Sequence, residues 1–579
     1  MDKKIFISIS VLVIALCAGL FLYFVERDNE CTHVVYPEAI YDDAMHTILP
    51  TTNSYINHVA SYINEELAFS VTDAFHTTAI AVDIIAYNPN AIIHYTLDGS
   101  RPTTDSAIFN TSLDIGGTIS ANPAVVVRAI AIYNGQAIAE IAQTYFVAPN
   151  ISNRFDTLVF SISTNPEYLF DHYTGIFVPG ILREEFIRNN PGRHVNPPDP
   201  ANFNLRGREA ERPIVMEVFD PANSAQRVFI QNAGIRVHGG WSRAHEQKSM
   251  RLIARHEHSP GAGQFHFDFF PWEFAHDGSP ITRYDTLILR NGGNDRYHGI
   301  MRHEVGSVLA RNAGFTAVSP VRAAAVFLNG EYYGFAWLQV RFNPQYIENL
   351  FNTPTRSIDV VGMGERWFDT DDQQIISDLH FKNSFSYKDL TDDNIFAQLE
   401  AILDIENMLF YYAFQIYMGN DDWPHNNLRR WRYTGPVLGL TPEADGRWRY
   451  IMFDLDWTLG LYGRDYTEPT FSRVLGPHNP RSPLLRNILT RDDMLIKFTE
   501  IMNYIAFEVA TPQNVEDTIT YLLSTSLNEV AHALLAGKYP GWFNMQTMEN
   551  NHRDMLHFAN NRHRQIFADL ERYFWHMRY

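Results

Sequence analysis

The segment Gly419-Asn420-Asp421-Asp422-Trp423-Pro424-His425-Asn426-Asn427, followed downstream by Phe453-Asp454-Leu455-Asp456, constrains the fold more than any other stretch of the chain. Carboxylates and amides crowd one short polar loop, and a second carboxylate pair ends an apolar strand, which is how oxygen ligands are offered to a hard cation such as Mg²⁺. A fold that uses both must bring a helix-borne loop against a strand end. The apolar run Ile405 to Met418 predicts the helix that delivers Gly419, with another over Ile395 to Leu403 before it. Trp448 to Phe453 predicts the strand, and period two then puts Asp454 and Asp456 on one face, within reach of one metal cluster. From Asp372 onward the chain reads as largely helical, including the tail from Arg491 to Tyr579, where core packing explains the Phe, Leu and Tyr content.

The residues before Asp372 read differently. Thr157 to Ser163 predicts a strand, Asp171 to Arg212 a loop-rich insertion, and Pro213 to Val218 with Arg227 to Val237 a hairpin. Gly234 to Ser242 runs from that strand into a glycine turn, and Lys248 to Ile253 resumes a strand. Gly239 and Gly240 let backbone N–H groups approach an anion, and Lys248 can reach the same charge, although a tight hairpin with a surface lysine has the same pattern. Asp285 to Arg290 predicts a further strand. Apolar spacing over Tyr297 to Asn312 predicts a helix stopped by Gly314, on which Glu304 is either a solvent-facing residue or a partner for Lys248. The Asn329-Gly330 turn joins Val321–Leu328 to Tyr332–Val340 as a hairpin. Strands followed by helices predict an α+β domain.

At 579 residues the chain exceeds one ordinary core, and its net charge of −20 excludes a nucleic-acid partner unless a local basic patch intervenes; none is evident. Two cysteines, Cys17 and Cys31, leave the globular part without disulfides or a thiolate metal site. Residues Ile5 to Val25 form an uncharged apolar run long enough to cross a hydrocarbon core of roughly 30 Å. Lys3 and Lys4 before it and Glu26, Asp28 and Glu30 after it predict a single-pass anchor with the rest of the chain outside the cell membrane; a cleaved signal peptide is the competing reading, against which stand the length of the run and the lack of a clear A-x-A site. The expected division is an anchor over 1–30, a stalk over 31–68, a β-sandwich over 69–148, a linker over 148–154, and a large domain over 155–579.

Two resemblances refine this division. His94-Tyr95-Thr96-Leu97-Asp98-Gly99-Ser100-Arg101-Pro102-Thr103 resembles the strand and turn of the sandwich module of chitobiases and hexosaminidases. This implies a spacer, or a unit that binds a cell-surface polysaccharide or protein. Asp422 and Asn427 stand five positions apart, the separation of the base and the metal-binding Asn in protein-kinase catalytic loops. The upstream glycine turn, the Lys248 strand, the helix bearing Glu304 and a hinge near Leu338 to Arg341 follow kinase order.

From about Asp156 onward the chain resembles the CotH family of atypical protein kinases, first met as spore-coat proteins. The resembling residues include Tyr173-Thr174-Gly175-Ile176, Arg206-Gly207, Arg236 with Gly239 and Ser242, Lys248 with Arg251, and Leu289-Arg290-Asn291-Gly292. Glu211-Arg212-Pro213, Asp295 with Met301-Arg302, Asn329 to Gly334, Gly419-Asn420 and Asp422 with Asn427, and Asp454 with Asp456 complete the set. The resemblance implies a two-lobed kinase-like domain that uses ATP with Mg²⁺ or Mn²⁺ to phosphorylate Ser or Thr of proteins. It implies Asp422 as the residue that orients or deprotonates the acceptor hydroxyl, and Asn427, Asp454 and Asp456 as metal ligands. It implies Lys248 as the phosphate lysine, and Gly239, Gly240, Ser242, Arg251, Glu304, Leu338 and Gln339 as the nucleotide site. Asp421 beside Asp422, and Asp454 beside Asp456, leave each role with two candidates. Rival readings are an inert kinase-like assembly protein at the surface, a haloacid-dehalogenase-like phosphatase built on Asp454 and Asp456, and an Asp-x-Asp glycosyltransferase.

Overall fold

The computed structural model describes residues 66–116, 124–221, 226–363, 384–436, 441–478 and 480–578. The anchor expected over residues 5–25, and the stalk up to residue 65, lie outside them. Among the described residues no helix is long and apolar enough to cross a membrane. The architecture is mixed: a sandwich-like module, then a barrel, then helices.

Short strands between Leu67–Phe69 and Gln136–Val147 form the first module, whose main sheet has five strands. Alternation along Gln136–Val147 serves two cores at once. Tyr145 belongs to the sandwich core, whereas its neighbour Phe146 joins the core of the following domain. Phe146 stacks on Phe75 at 4.7 Å and meets Phe219 at 5.3 Å and Phe327 at 5.1 Å edge-on. Beside it, the Thr144 hydroxyl donates to Glu217 at 2.6 Å, and Arg227 donates to the same carboxylate at 3.0 Å. The expected linker is ordered as well, with Ile151 and Phe155 buried in the larger core. The module is therefore packed against the next domain and is not a tethered spacer.

Seven strands close the barrel: β1 Leu158–Ser163, β2 Arg212–Asp220, β3 Gln226–His238, β4 Ser249–Ile253, β5 Thr286–Arg290, β6 Val321–Leu328 and β7 Glu331–Val340. All pairs are antiparallel except β1 with β6, the seam where the barrel closes. One rung carries Val237, Met250, Leu289 and Leu338 across β3, β4, β5 and β7, and these side chains fill the core. The adjacent rung, one residue along each strand, carries Arg236, Arg251, Ile288 and Gln339 on the opposite face. That outward face meets helix α1, Arg302–Asn312, which is shorter than the helix expected from Tyr297 because Gly293–Tyr297 forms a separate 3₁₀ turn. The loop-rich insertion contains a helix at Gly180–Asn189.

Beyond the barrel, β8 Ile358–Met363, β9 Leu428–Tyr433 and β10 Arg449–Ile451 make an antiparallel sheet. β10 is an edge strand of this sheet, and the wound parallel sheet that a haloacid-dehalogenase reading requires is not found among the described residues. Helix α2, Ile405–Tyr417, capped by the Asp404 side chain, runs into the Gly419 loop as expected. The tail is helical over Asp492–Tyr504, Pro512–Leu535 and Met545–Arg578. Glu529 of its second helix accepts from Arg154 and from the Tyr332 hydroxyl, each at 2.6 Å, tying tail, barrel and interdomain segment together.

Candidate active site

A cavity of ≈ 720 Å³ opens between the outward face of the barrel and the loops after α2 and β10. On the barrel side it is lined by Gly239, Gly240 and Ser242 of the glycine turn, by Arg251 and Arg290, and by Gln339 to Phe342 at and just beyond the end of β7. On the other side lie Asp422, Asn427, Asp454 and Asp456. The loop of α2 and the end of β10 are thus brought together, although β10 ends at Ile451 and Asp454 stands beyond it in irregular backbone.

Asp422 and Asn427 form one unit. The Asn427 amide donates to Asp422 Oδ2 at 3.0 Å, and the Asn426 amide to Oδ1 at 2.8 Å. Burial raises the Asp422 carboxyl above the usual carboxylate range against those donors. Its neighbour Asp421 has a different occupation: Arg464 and Arg473 each hold it at 2.6 Å, and it does not line the cavity. Of the two adjacent carboxylates, only Asp422 faces the space where a substrate would sit.

Asp454 and Asp456 are bridged by a single nitrogen. Arg290 Nη2 donates to Asp454 Oδ1 at 2.7 Å and to Asp456 Oδ2 at 2.8 Å. The same Asp456 oxygen accepts from the Asn294 backbone at 2.8 Å. Its other oxygen, Oδ1, is buried with no hydrogen-bond partner. Burial first, and the Asp456 charge second, push the Asp454 carboxyl well up. Burial would lower the Arg290 guanidinium, but Asp456, Asp454 and Glu304 outweigh it and hold it above its ordinary value. Asp454 (φ 53) and Asn427 (φ 55) both occupy the left-handed region, at a cost of roughly 1 kcal/mol or more each, strain of the kind found where side chains are aimed for function.

This donor set fits a small hard cation. Among the described residues no three His, Cys, Asp or Glu side chains converge into a closed metal cage. Mg²⁺ does not need one, because it takes one or two carboxylates and completes its shell with phosphate oxygens and water. The orphaned Asp456 Oδ1, with Asp454 beside it, is the oxygen such an ion would claim.

The remaining expected residues divide. Gly239, Gly240, Ser242, Arg251 and Gln339 line the cavity, whereas Lys248 and Leu338 do not. Lys248 has the strand parity of Met250 and Leu252, which lie in the barrel core. Its Nζ donates to the His245 carbonyl at 2.6 Å and lies 4.4 Å from the Phe203 ring centre, where burial lowers it to about 8. Leu338 points into the barrel opposite Leu289. Glu304 does not meet Lys248. It accepts from Gln339 Nε2 at 3.0 Å behind the cavity wall, and burial raises it to about 8.

Arg341 of the expected hinge and Arg429, whose cluster with Arg430 and Arg432 reads from sequence as a solvated or phosphate-facing strand, line the cavity, and Arg206, Arg243 and His303, which the sequence reading of the site left out, line it too. His303 Nδ1 accepts from the Leu455 backbone at 3.0 Å, so its buried, unpartnered Nε2 carries the proton. An arginine-lined cavity in a chain of net charge −20 is a local reversal of field that suits a polyanion.

Residues 73–142 match the family model of the chitobiase/beta-hexosaminidase C-terminal domain, which covers the sandwich-like module. No curated protein matches the chain. Residues 235–566, which run from β3 through the site loops into the last helix, match the model described as CotH kinase protein. With more than half of its length matched and the site loops inside the match, the chain belongs to the CotH kinase protein family.

Proposed function

We propose that the chain is an ATP- and divalent-metal-dependent protein kinase that phosphorylates Ser or Thr of cell-surface or coat proteins. Its large domain takes the two-lobed architecture of atypical kinases, and residues 5–25 anchor it with that domain outside the membrane. One observation carries this reading. A hydrogen-bonded Asp422–Asn427 pair and an arginine-bridged Asp454–Asp456 pair share a cavity whose opposite wall holds a glycine turn and arginines.

In this reading the phosphates of ATP lie between the two walls. Arg251 and the backbone of Gly239 and Gly240 bind phosphate oxygens, and residues 339–342 face the base. A divalent cation bound by Asp454, Asp456 and Asn427 would supply charge neutralisation at the transferred phosphoryl group. Asp422 orients the acceptor hydroxyl and takes its proton; a carboxyl raised by burial is a better proton acceptor at that moment than an ordinary one. The amides of Asn426 and Asn427 keep Asp422 in one orientation while it does so. The sandwich module, with exposed Tyr87 and Tyr133, is assigned to a surface polysaccharide or protein.

The test is incubation of the full chain with labelled ATP, Mg²⁺ or Mn²⁺ and a generic protein acceptor, beside Asp422→Ala and Asp454→Ala. Metal-dependent label on Ser or Thr, absent from both variants, supports the assignment. Label no higher than in the variants, together with no nucleotide binding by calorimetry, overturns it.

A further inference from the structure

We infer that Arg290 is a positioning residue that couples the two ligands of this site: it stands in for the metal at the carboxylate pair when the site is empty and turns to the nucleotide phosphates when the metal arrives. The inference rests on the kinase reading and adds an order of binding to it.

The geometry is asymmetric. Arg290 ends β5 with its side chain almost wholly buried, and Nη2 alone contacts both Asp454 Oδ1 and Asp456 Oδ2. The other terminal nitrogen, Nη1, is buried in the cavity wall with no hydrogen-bond partner. A guanidinium carries donors on both terminal nitrogens in a fixed fork, so one tine is spent on the carboxylates and the other points at nothing the protein supplies. Asp456 is its complement, with Oδ2 held by Arg290 and the Asn294 backbone while Oδ1 is orphaned. A bare donor and a bare acceptor on one ion pair mark places for a phosphate oxygen and a cation respectively.

The surroundings hold this pair in place. A Cβ on Gly293 (φ +59) would lie 2.4 Å from both Arg290 Nη2 and Asp456 Oδ2, so the turn can pass here only as glycine. Behind Arg290 a third acid, Glu304, adds to the field on the guanidinium, but its carboxyl is bonded to Gln339 at 3.0 Å, and the contacts of Nη2 are with Asp454 and Asp456.

Two consequences follow from charge alone. Without nucleotide, a divalent cation must enter beside a guanidinium that already neutralises the carboxylates, so it binds weakly. With nucleotide, the phosphates take the guanidinium, the carboxylates are released to the cation, and each ligand strengthens the other to the same degree.

The experiment is titration of Mn²⁺ into the full chain, read by the electron paramagnetic resonance of free Mn²⁺, with and without a non-hydrolysable ATP analogue. Arg290→Gln is expected to bind Mn²⁺ alone more tightly than wild type, by roughly fivefold or more, and to lose most of the enhancement that the analogue gives wild type. Thermal unfolding checks that the variant is folded. If it is not, Arg290→Lys carries the test, because it keeps the charge but cannot hold the carboxylates and reach a phosphate together, so its enhancement should fall. Equal or weaker Mn²⁺ binding by Arg290→Gln without nucleotide, or an enhancement equal to wild type in the variant tested, overturns the coupling while leaving the kinase assignment intact. Wild type that binds neither Mn²⁺ nor the analogue overturns both.

Discussion

On the barrel side of the cavity, Arg251 and Arg290 stand where strand register puts them, on the outward rungs of β4 and β5. On the helical side, Asp422, Asn427, Asp454 and Asp456 sit in irregular loops, two of them at positive φ, held by amides and by one arginine from across the cavity. The contrast divides labour. The barrel supplies positive charge from regular strand positions, whereas the loops hold Asn427 and Asp454 in strained backbone. Binding should therefore depend on the first wall and turnover on the second.

The sharpest way to break this comparison is at Asp422. Asp422→Ala is expected to lower kcat about a thousandfold with little change in nucleotide affinity, as measured by labelled phosphate transfer and by calorimetry. A parallel loss in affinity would erase the distinction between the walls. Next in size, Arg251→Ala should weaken ATP binding roughly 10- to 100-fold, the worth of one or two charge-assisted hydrogen bonds, while Lys248→Met should leave it within about threefold. A larger effect of Lys248→Met would return the lysine to the phosphate site.

Smaller effects test what holds the loops. Asp421→Asn leaves Arg464 and Arg473 short of a partner and should cost about 1–2 kcal/mol of stability, read by denaturant unfolding, with a far smaller loss of kcat than Asp422→Ala. Glu304→Gln should be close to neutral in stability below the ordinary glutamate range, where the carboxyl is protonated in folded and unfolded chain alike, and stabilising at pH 7, where only the folded chain, its carboxyl raised from 4.5 to about 8, still carries the proton. The folded chain retains this proton after the unfolded chain has released it. Wild type should therefore lose stability relative to the variant as pH rises from the ordinary glutamate range through 8, by at most about 1.4 kcal/mol per pH unit. Parallel pH–stability curves for the two proteins would contradict the burial of that proton.

Much of the barrel was legible because alternation and turn residues are local signals: β2, β3, β6 and β7 and the Asn329-Gly330 turn fall within a residue or two of expectation. Both displaced nucleotide-site residues, Lys248 and Leu338, fail by one and the same rule. Each shares its strand parity with core residues, Met250 and Leu252 in one case and Ala336 in the other, so period two assigns it to the inside, and Arg251 and Gln339, of the opposite parity, to the cavity. That signal was present in the sequence. The choice between Asp421 and Asp422 was not, because it depends on Arg464 and Arg473, whose approach to the loop is a matter of tertiary packing. Nor did anything local mark Arg290 as the bridge between Asp454 and Asp456, residues far along the chain.

The strand Gln136–Val147, with Tyr145 in one core and Phe146 in the next, has a mechanical consequence. A chain pulled from the N-terminal side of the sandwich loads in shear the parallel pairing of Phe75–His76 with Phe146 and Val147 at the end of that strand. The load then passes through Thr144 to β2 and through Phe146 to the barrel, without a slack tether to absorb it. The sandwich is therefore a stiff lever fixed to the barrel, and its orientation relative to the candidate cavity is set by the fold itself.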